Sequence, residues 1–207
     1  MCLLTALLAG CITSYAQRPV SDWLNRYNLR ENRNPESLQY CQTTGCTQRI
    51  QTSLTRSQWQ RIQHLFTPPA RTPAEERRQI ALAMGQMERL IGPIANTAND
   101  EARNVLFPDK PGFQLDCIAE ASNTTQTLLL LQHQDLLQWH TPGYPTHRGP
   151  LQLQAPHYSA LITDITTQKR WSVDSWFFDN GEPAVLVPES IWRSGYSPDN
   201  RPGSNSK

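Results

Sequence analysis

Three residues of the C-terminal half carry types that together perform acyl transfer: Cys117 in "FQLDCIAEA", His157 in "PHYSALI" and Asp174 in "WSVDSWF". A cysteine nucleophile needs a base to take its proton, and the base needs a third group to fix its tautomer and balance its charge. Cys117 heads an apolar segment with helical character, and a helix start offers unsatisfied N–H groups and a macrodipole that favour an anion. His157 and Asp174 stand 17 residues apart (174 − 157). If the loop joining their strands has an even number of residues, that spacing puts both on one face as direct or diagonal neighbours. Asp174 lies between Val173 and Trp176 in an otherwise apolar strand and must be paired, because burying a lone carboxylate is costly.

Each of the three has an ordinary alternative. A lone cysteine is most often a small core hydrophobe, and a strand histidine is most often a satisfied polar group. His133, His140 and His147 compete with His157 as the base, but none is followed by a strand with an acidic partner. Asp116 and Glu120 flank the thiol and oppose its ionisation if they face it. Asn123 reads as a local hydrogen-bonding residue, and Trp171, Trp176 and Phe177 as core or pocket wall.

The remaining cysteines decide how unusual Cys117 is. The N-terminus "MCLLTALLAGCITSYAQ" has a short apolar run, Leu3 to Ala9, followed by small residues, as export signals do. "LAGC" has the form of a lipobox, which would make Cys11 the lipidated first residue of an envelope protein and remove Cys2 with residues 1–10. A missing basic n-region leaves the start codon open, and "SYA" also fits ordinary cleavage into a soluble periplasmic form. Cys41 and Cys46 in "CQTTGC" bracket a glycine turn and are expected to form a local disulfide in an oxidising compartment. A zinc reading of that pair would need two further ligands, with His64 the one nearby candidate. Cys117 is then the unpaired thiol.

Composition narrows the field. The chain has 207 residues, 38% hydrophobic and 18% charged, with a net charge of +1, which fits one globular domain and gives no basic footprint for nucleic acid. No stretch approaches the roughly 18 apolar residues of a membrane span. Residues 11–50 are polar and poorly periodic and read as a tether or irregular cover; 51–193 form the domain; 194–207 read as a disordered tail.

Within the domain, "TRSQ" from Thr55 has capping-box form ahead of Trp59, Ile62, Leu65 and Phe66. "TPAE" from Thr72 starts a second helix, whose apolar stripe runs from Ile80 to Ile91 and which Gly92-Pro93 should end. Residues 95–113 read as a long connection, and a third helix should run from Cys117 past Leu131. The Pro/Gly stretch 141–150 reads as a surface loop. Residues 157–165 and 170–178 then alternate with period two around "TTQK", and "AVLV", 184–187, follows Asn180-Gly181 as a short third strand. Helices followed by an antiparallel sheet make an α+β fold.

The order Cys, His, Asp, with the cysteine at a helix start and the other two on adjacent strands, resembles the transglutaminase-like (papain-related) superfamily. The similarity rests on "LDCIAEA", "PHYSALI" and "WSVDSWF" and is strongest from Cys117 to about Trp192. It implies a transglutaminase-like core with N-terminal helices packed on a C-terminal sheet, a Cys117–His157–Asp174 triad, and cleavage or transfer of an acyl group without metal or organic cofactor. Gln114, three residues ahead of the cysteine, is similar to the papain-type oxyanion glutamine, at a different spacing. Expected substrates are peptides or proteins, peptidoglycan peptides among them. The alternative is a non-catalytic binding or scaffolding lipoprotein on the same fold.

Overall fold

The computed structural model describes residues 18–104 and 111–198. Cys2, Cys11 and the signal segment lie outside the described residues, as does the tail from residue 199. Helix α1 (Val20–Arg26) is followed by a two-stranded antiparallel ribbon, β1 (Leu38–Cys41) and β2 (Arg49–Thr52). Helices α2 (Arg56–His64), α3 (Pro73–Ala95) and α4 (Cys117–His133) come next. The chain then builds a four-stranded antiparallel sheet from β3 (His140–Arg148), β4 (His157–Asp164), β5 (Arg170–Asp174) and β6 (Val185–Pro188), and ends in the short α5 (Glu189–Arg193). The architecture is α+β. Among the described residues no helix is long and apolar enough to cross a membrane.

Local signals account for most of these elements. Thr55 caps α2 through a complete capping box with Gln58, and Thr72 caps α3 with Pro73 at the first helical position. α3 runs on through Gly92-Pro93 and stops three residues beyond Gly92 at Ala95, where Asn96 takes a left-handed conformation. The core joins Ile62, Ile80, Met84, Met87 and Ile91 to Leu128, Leu130, Leu131 and the inner sheet residues Ala160, Ile162 and Val173. α4 is buried along nearly its whole length against β4.

Two stretches differ from the expectation. Residues 141–150 are not a surface loop, because His140–Arg148 form an edge strand paired with β4. Pro142 and Pro145 have no N–H to donate, and an edge position with a register shift between Gly143 and Thr146 accommodates that loss. Residues 18–50, read as a tether or irregular cover, are a cover but a folded one. Trp23 is fully buried beside Leu24, Leu115, Ala119 and Tyr144, and its indole N–H donates to Ser122 Oγ at 3.0 Å. The cover is polar by composition and is held by a few buried anchors, which periodicity does not register.

Candidate active site

Asp116 starts the site. Its carboxylate oxygen Oδ1 caps α4 by accepting the Ala119 N–H at 3.0 Å, and it accepts the Gly45 N–H at 2.9 Å. The second bond ties the helix start to the turn between Cys41 and Cys46, which are joined in a disulfide, so neither can be a zinc ligand. Cys117 is the first residue of the helix, half-buried and not disulfide-bonded.

The β4–β5 register, Ala160 opposite Val173 through Thr163 opposite Arg170, carries on to place Asp174 one diagonal step from His157. The two side chains meet: His157 Nε2 lies 2.7 Å from Asp174 Oδ2, with both residues buried. A carboxylate beside Nε2 fixes the proton there and leaves Nδ1 as the basic nitrogen. Nδ1 is buried and has no hydrogen-bond partner. The Cys117 thiol takes the backbone N–H of Tyr158, the residue after His157, and feels the charge of Asp174. Helix start and strand start therefore converge on one point.

Asp174 is further secured by Trp192, whose indole N–H donates to the same Oδ2 at 2.7 Å. Trp176, Phe177 and Trp192 surround the imidazole with ring centroids 4.4, 5.4 and 5.2 Å away. This wall excludes water from the Nε2 side of the ring and strengthens the bond to Asp174. Trp176 and Phe177 are pocket wall, and Trp171 packs against the core, with the Arg77 guanidinium 3.7 Å over its ring. Trp192, on α5, gave no sequence signal beyond being an isolated aromatic.

The thiol itself departs from the helix-dipole expectation. Burial, together with the charges of Asp116 and Asp174, pushes it up to about 11. The N-terminal partial charge of α4 is already met by the Asp116 carboxylate, so little remains for the sulfur. The resting site holds a neutral thiol.

Other sequence candidates have different posts. Gln114 is turned to the connecting loop: its Oε1 accepts from the Glu101 N–H at 2.9 Å and Asn104 Nδ2 at 2.7 Å, and its Nε2 donates to the Asn99 carbonyl at 2.9 Å. Helix geometry makes the first-turn N–H groups of Cys117 and Ile118 the better oxyanion donors, since no intrahelical carbonyl reaches them. His140 is buried between Glu76 at 2.8 Å and Arg77 at 3.2 Å, His133 pairs with Glu31 on the surface, and His147 packs on Tyr158 at 5.4 Å. Asn123 brackets the backbone of Cys41, accepting its N–H at 2.7 Å and donating to its carbonyl at 3.0 Å.

Glu120 faces inward, away from the nucleophile, and accepts from Ser175 Oγ. There it meets Asp100 and Glu88, which accept the N–H groups of Leu115 and Gly181 at 2.7 Å each. Burial raises all three carboxyls, Glu88 to about 8, Asp100 to about 6 and Glu120 well above its ordinary range; repulsion by Asp100 adds to Glu88, repulsion by both adds to Glu120, and Asp179 and Glu101 add to Asp100. This cluster lies directly behind the residue that follows Asp174.

No known protein family, no curated protein and no solved structure matches this chain.

Proposed function

We propose that the protein is a cysteine-nucleophile acyl-transfer enzyme of the transglutaminase-like kind, acting in the bacterial envelope and tethered there through Cys11. His157 Nδ1 takes the Cys117 proton as the sulfur attacks an amide or ester carbonyl. First-turn N–H groups of α4 hold the oxyanion, and the imidazolium returns the proton to the leaving amine or alcohol. Water, deprotonated by the same Nδ1, then cleaves the thioester and restores the thiol. Hydrolysis is favoured over cross-linking because water is abundant and no protected amine site is apparent in the sequence. Peptides of the envelope, peptidoglycan peptides included, are the proposed substrates.

The observation that carries this reading is the His157 ring: Nε2 sits on Asp174 at 2.7 Å and Nδ1 is a buried nitrogen with no hydrogen-bond partner, while the backbone N–H of the next residue, Tyr158, reaches the free thiol of Cys117. The raised thiol favours the second reading, a non-catalytic binding module. Acylation by p-nitrophenyl acetate separates them. The enzyme reading expects a burst of one nitrophenolate per chain with the acetyl group on Cys117, slowed about a hundredfold in His157→Ala. A rate no faster than that of the urea-unfolded chain, or one unchanged in His157→Ala, leaves the binding module.

A further inference from the structure

Beside the catalytic imidazole lies a cleft of about 220 Å³ lined by Arg103, Arg148, Gln154, His157, Trp176 and Phe177, among others. Its volume suits one residue-sized group rather than a larger ligand. Among the described residues none lining it is acidic, and the two guanidiniums are their fixed charges. Asp174, the nearest carboxylate on the sheet, is shut behind His157 and Trp192, which share its Oδ2.

Both arginines are firmly placed. Arg148 ends β3 directly opposite His157 in the β3–β4 register. It is 8% exposed, lies over the Trp192 ring at 4.6 Å, and spends Nη1 on the carbonyls of Trp192 and Tyr196 at 2.6 and 2.8 Å. A guanidinium carries five donors, so Nε and Nη2 keep three. Arg103 is held in a left-handed conformation (φ 58°) by its N–H to the Trp176 carbonyl at 2.8 Å, while the neighbouring Ala102 N–H bonds Asp179 at 2.9 Å. Trp176 returns the grip through its indole N–H to the Asn104 carbonyl at 3.0 Å. Arg103 Nη2 donates to the Pro198 carbonyl at 2.9 Å, so backbone oxygens already sit where a ligand's oxygens would. Buried Arg148 beside aromatic walls, with Asp174 acting on it from behind His157 and Trp192, suits a planar carboxylate far better than a neutral group.

We propose that this cleft is a carboxylate subsite: Arg103 and Arg148 hold an acidic group of the acyl substrate while Trp176 and Phe177 wall its chain. This deepens the acyl-transfer reading and rests on it for the word substrate, but the binding step needs no chemistry.

Two measurements keep the two ideas apart. The first is calorimetric titration of the full chain carrying Cys117→Ser with glutarate and with neutral glutaramide. Glutarate binds, glutaramide does not, affinity falls as salt rises, and Arg103→Met weakens glutarate about tenfold, as loss of a charge-assisted contact does. Arg103 is exposed, so this variant keeps the fold. Absent glutarate binding, equal binding of the two probes, or an unchanged affinity in Arg103→Met overturns the subsite. The second compares acylation of the unsubstituted protein by mono-p-nitrophenyl glutarate and by its methyl ester, with the charged ester faster by about tenfold and Arg103→Met removing the advantage. Glutarate binding without acylation by either ester refutes the enzyme and keeps the subsite. Equal acylation by both esters without glutarate binding refutes the subsite and keeps the enzyme.

Discussion

Replacing Glu88 with glutamine should stabilise this protein above neutral pH and flatten its stability profile. The Glu88 carboxyl accepts the Gly181 N–H at 2.7 Å and is pushed from 4.5 to about 8, first by burial and then by Asp100. A group whose folded value is raised contributes stability that is complete below its unfolded value and disappears as pH climbs through the folded one. The window here runs from about 4.5 to about 8, with Asp100 adding between 3.8 and about 6. At about 1.4 kcal/mol per pH unit, moving one carboxyl from 4.5 to about 8 corresponds to on the order of 5 kcal/mol. Part of the Glu88 shift is repulsion by an ionised Asp100, so the two contributions do not sum, and a loss of about 4 kcal/mol between pH 5 and pH 8.5 is expected. Glutamine keeps an oxygen for the Gly181 N–H and removes the charge. Urea unfolding followed by circular dichroism at pH 5, 7 and 8.5 reads both effects. The natural chain should lose stability steadily on going alkaline, whereas Glu88→Gln, in which the raised Glu120 and Asp100 still titrate, should lose less and exceed it by a few kcal/mol at pH 8.5. Asp164, held far below the ordinary range by the Thr166 and Thr167 donors despite its burial, titrates well outside this window. Constant or rising stability of the natural chain over that range, or an equal slope in the variant, would refute the reasoning.

Two further substitutions test the frame around the triad. Trp192→Phe keeps the ring wall but removes the N–H that Asp174 accepts at 2.7 Å; it should lower unfolding free energy by about 2 kcal/mol and slow Cys117 acetylation about tenfold. An unchanged urea midpoint and burst rate would show that Asp174 needs no second donor. Gly85→Ala would place a methyl 2.6 Å from the Gly181 carbonyl oxygen and 2.8 Å from Glu182 backbone atoms, pushing α3 off the turn that feeds Glu88, at a cost of about 3 kcal/mol by urea unfolding. A loss below about 1 kcal/mol would mean that the turn yields instead of the helix.

What could be read from the sequence and what could not divide along a physical line. The capped starts at Thr55 and Thr72, the hairpin around residues 164–169 and the strand near 185 are local: a cap, a turn or a period of two sits within a few residues of the element it makes. His157 and Asp174 were legible as a pair because strand parity is arithmetic. β3 was not, since prolines normally mark a loop and only the free edge of β4 rescues them. The cover over residues 18–50 depends on Trp23 finding Ser122 across 99 positions, which no window contains. Gln114 has the type of an oxyanion donor, but the loop at 99–104 claims its amide. The thiol's displacement was legible with both signs, lowered by a helix start or raised by Asp116 and Glu120; burial and the capping Asp116, which also cancels the helix end, decide for the upward one.

That last feature bears on survival of the site in air. Peroxide and disulfides attack thiolates, and a sulfur that stays ionised is driven toward sulfenic and higher acids or into mixed disulfides. Among the described residues this chain has one closed disulfide and one free thiol, Cys117, pushed up to about 11 by burial and by Asp116 and Asp174. A protonated sulfur is a poor target for such oxidants. Holding the thiol neutral makes Cys117 slow to spoil where Cys41 and Cys46 are readily oxidised, and on the proposed mechanism it gives the carboxylate beside the sulfur a protective use.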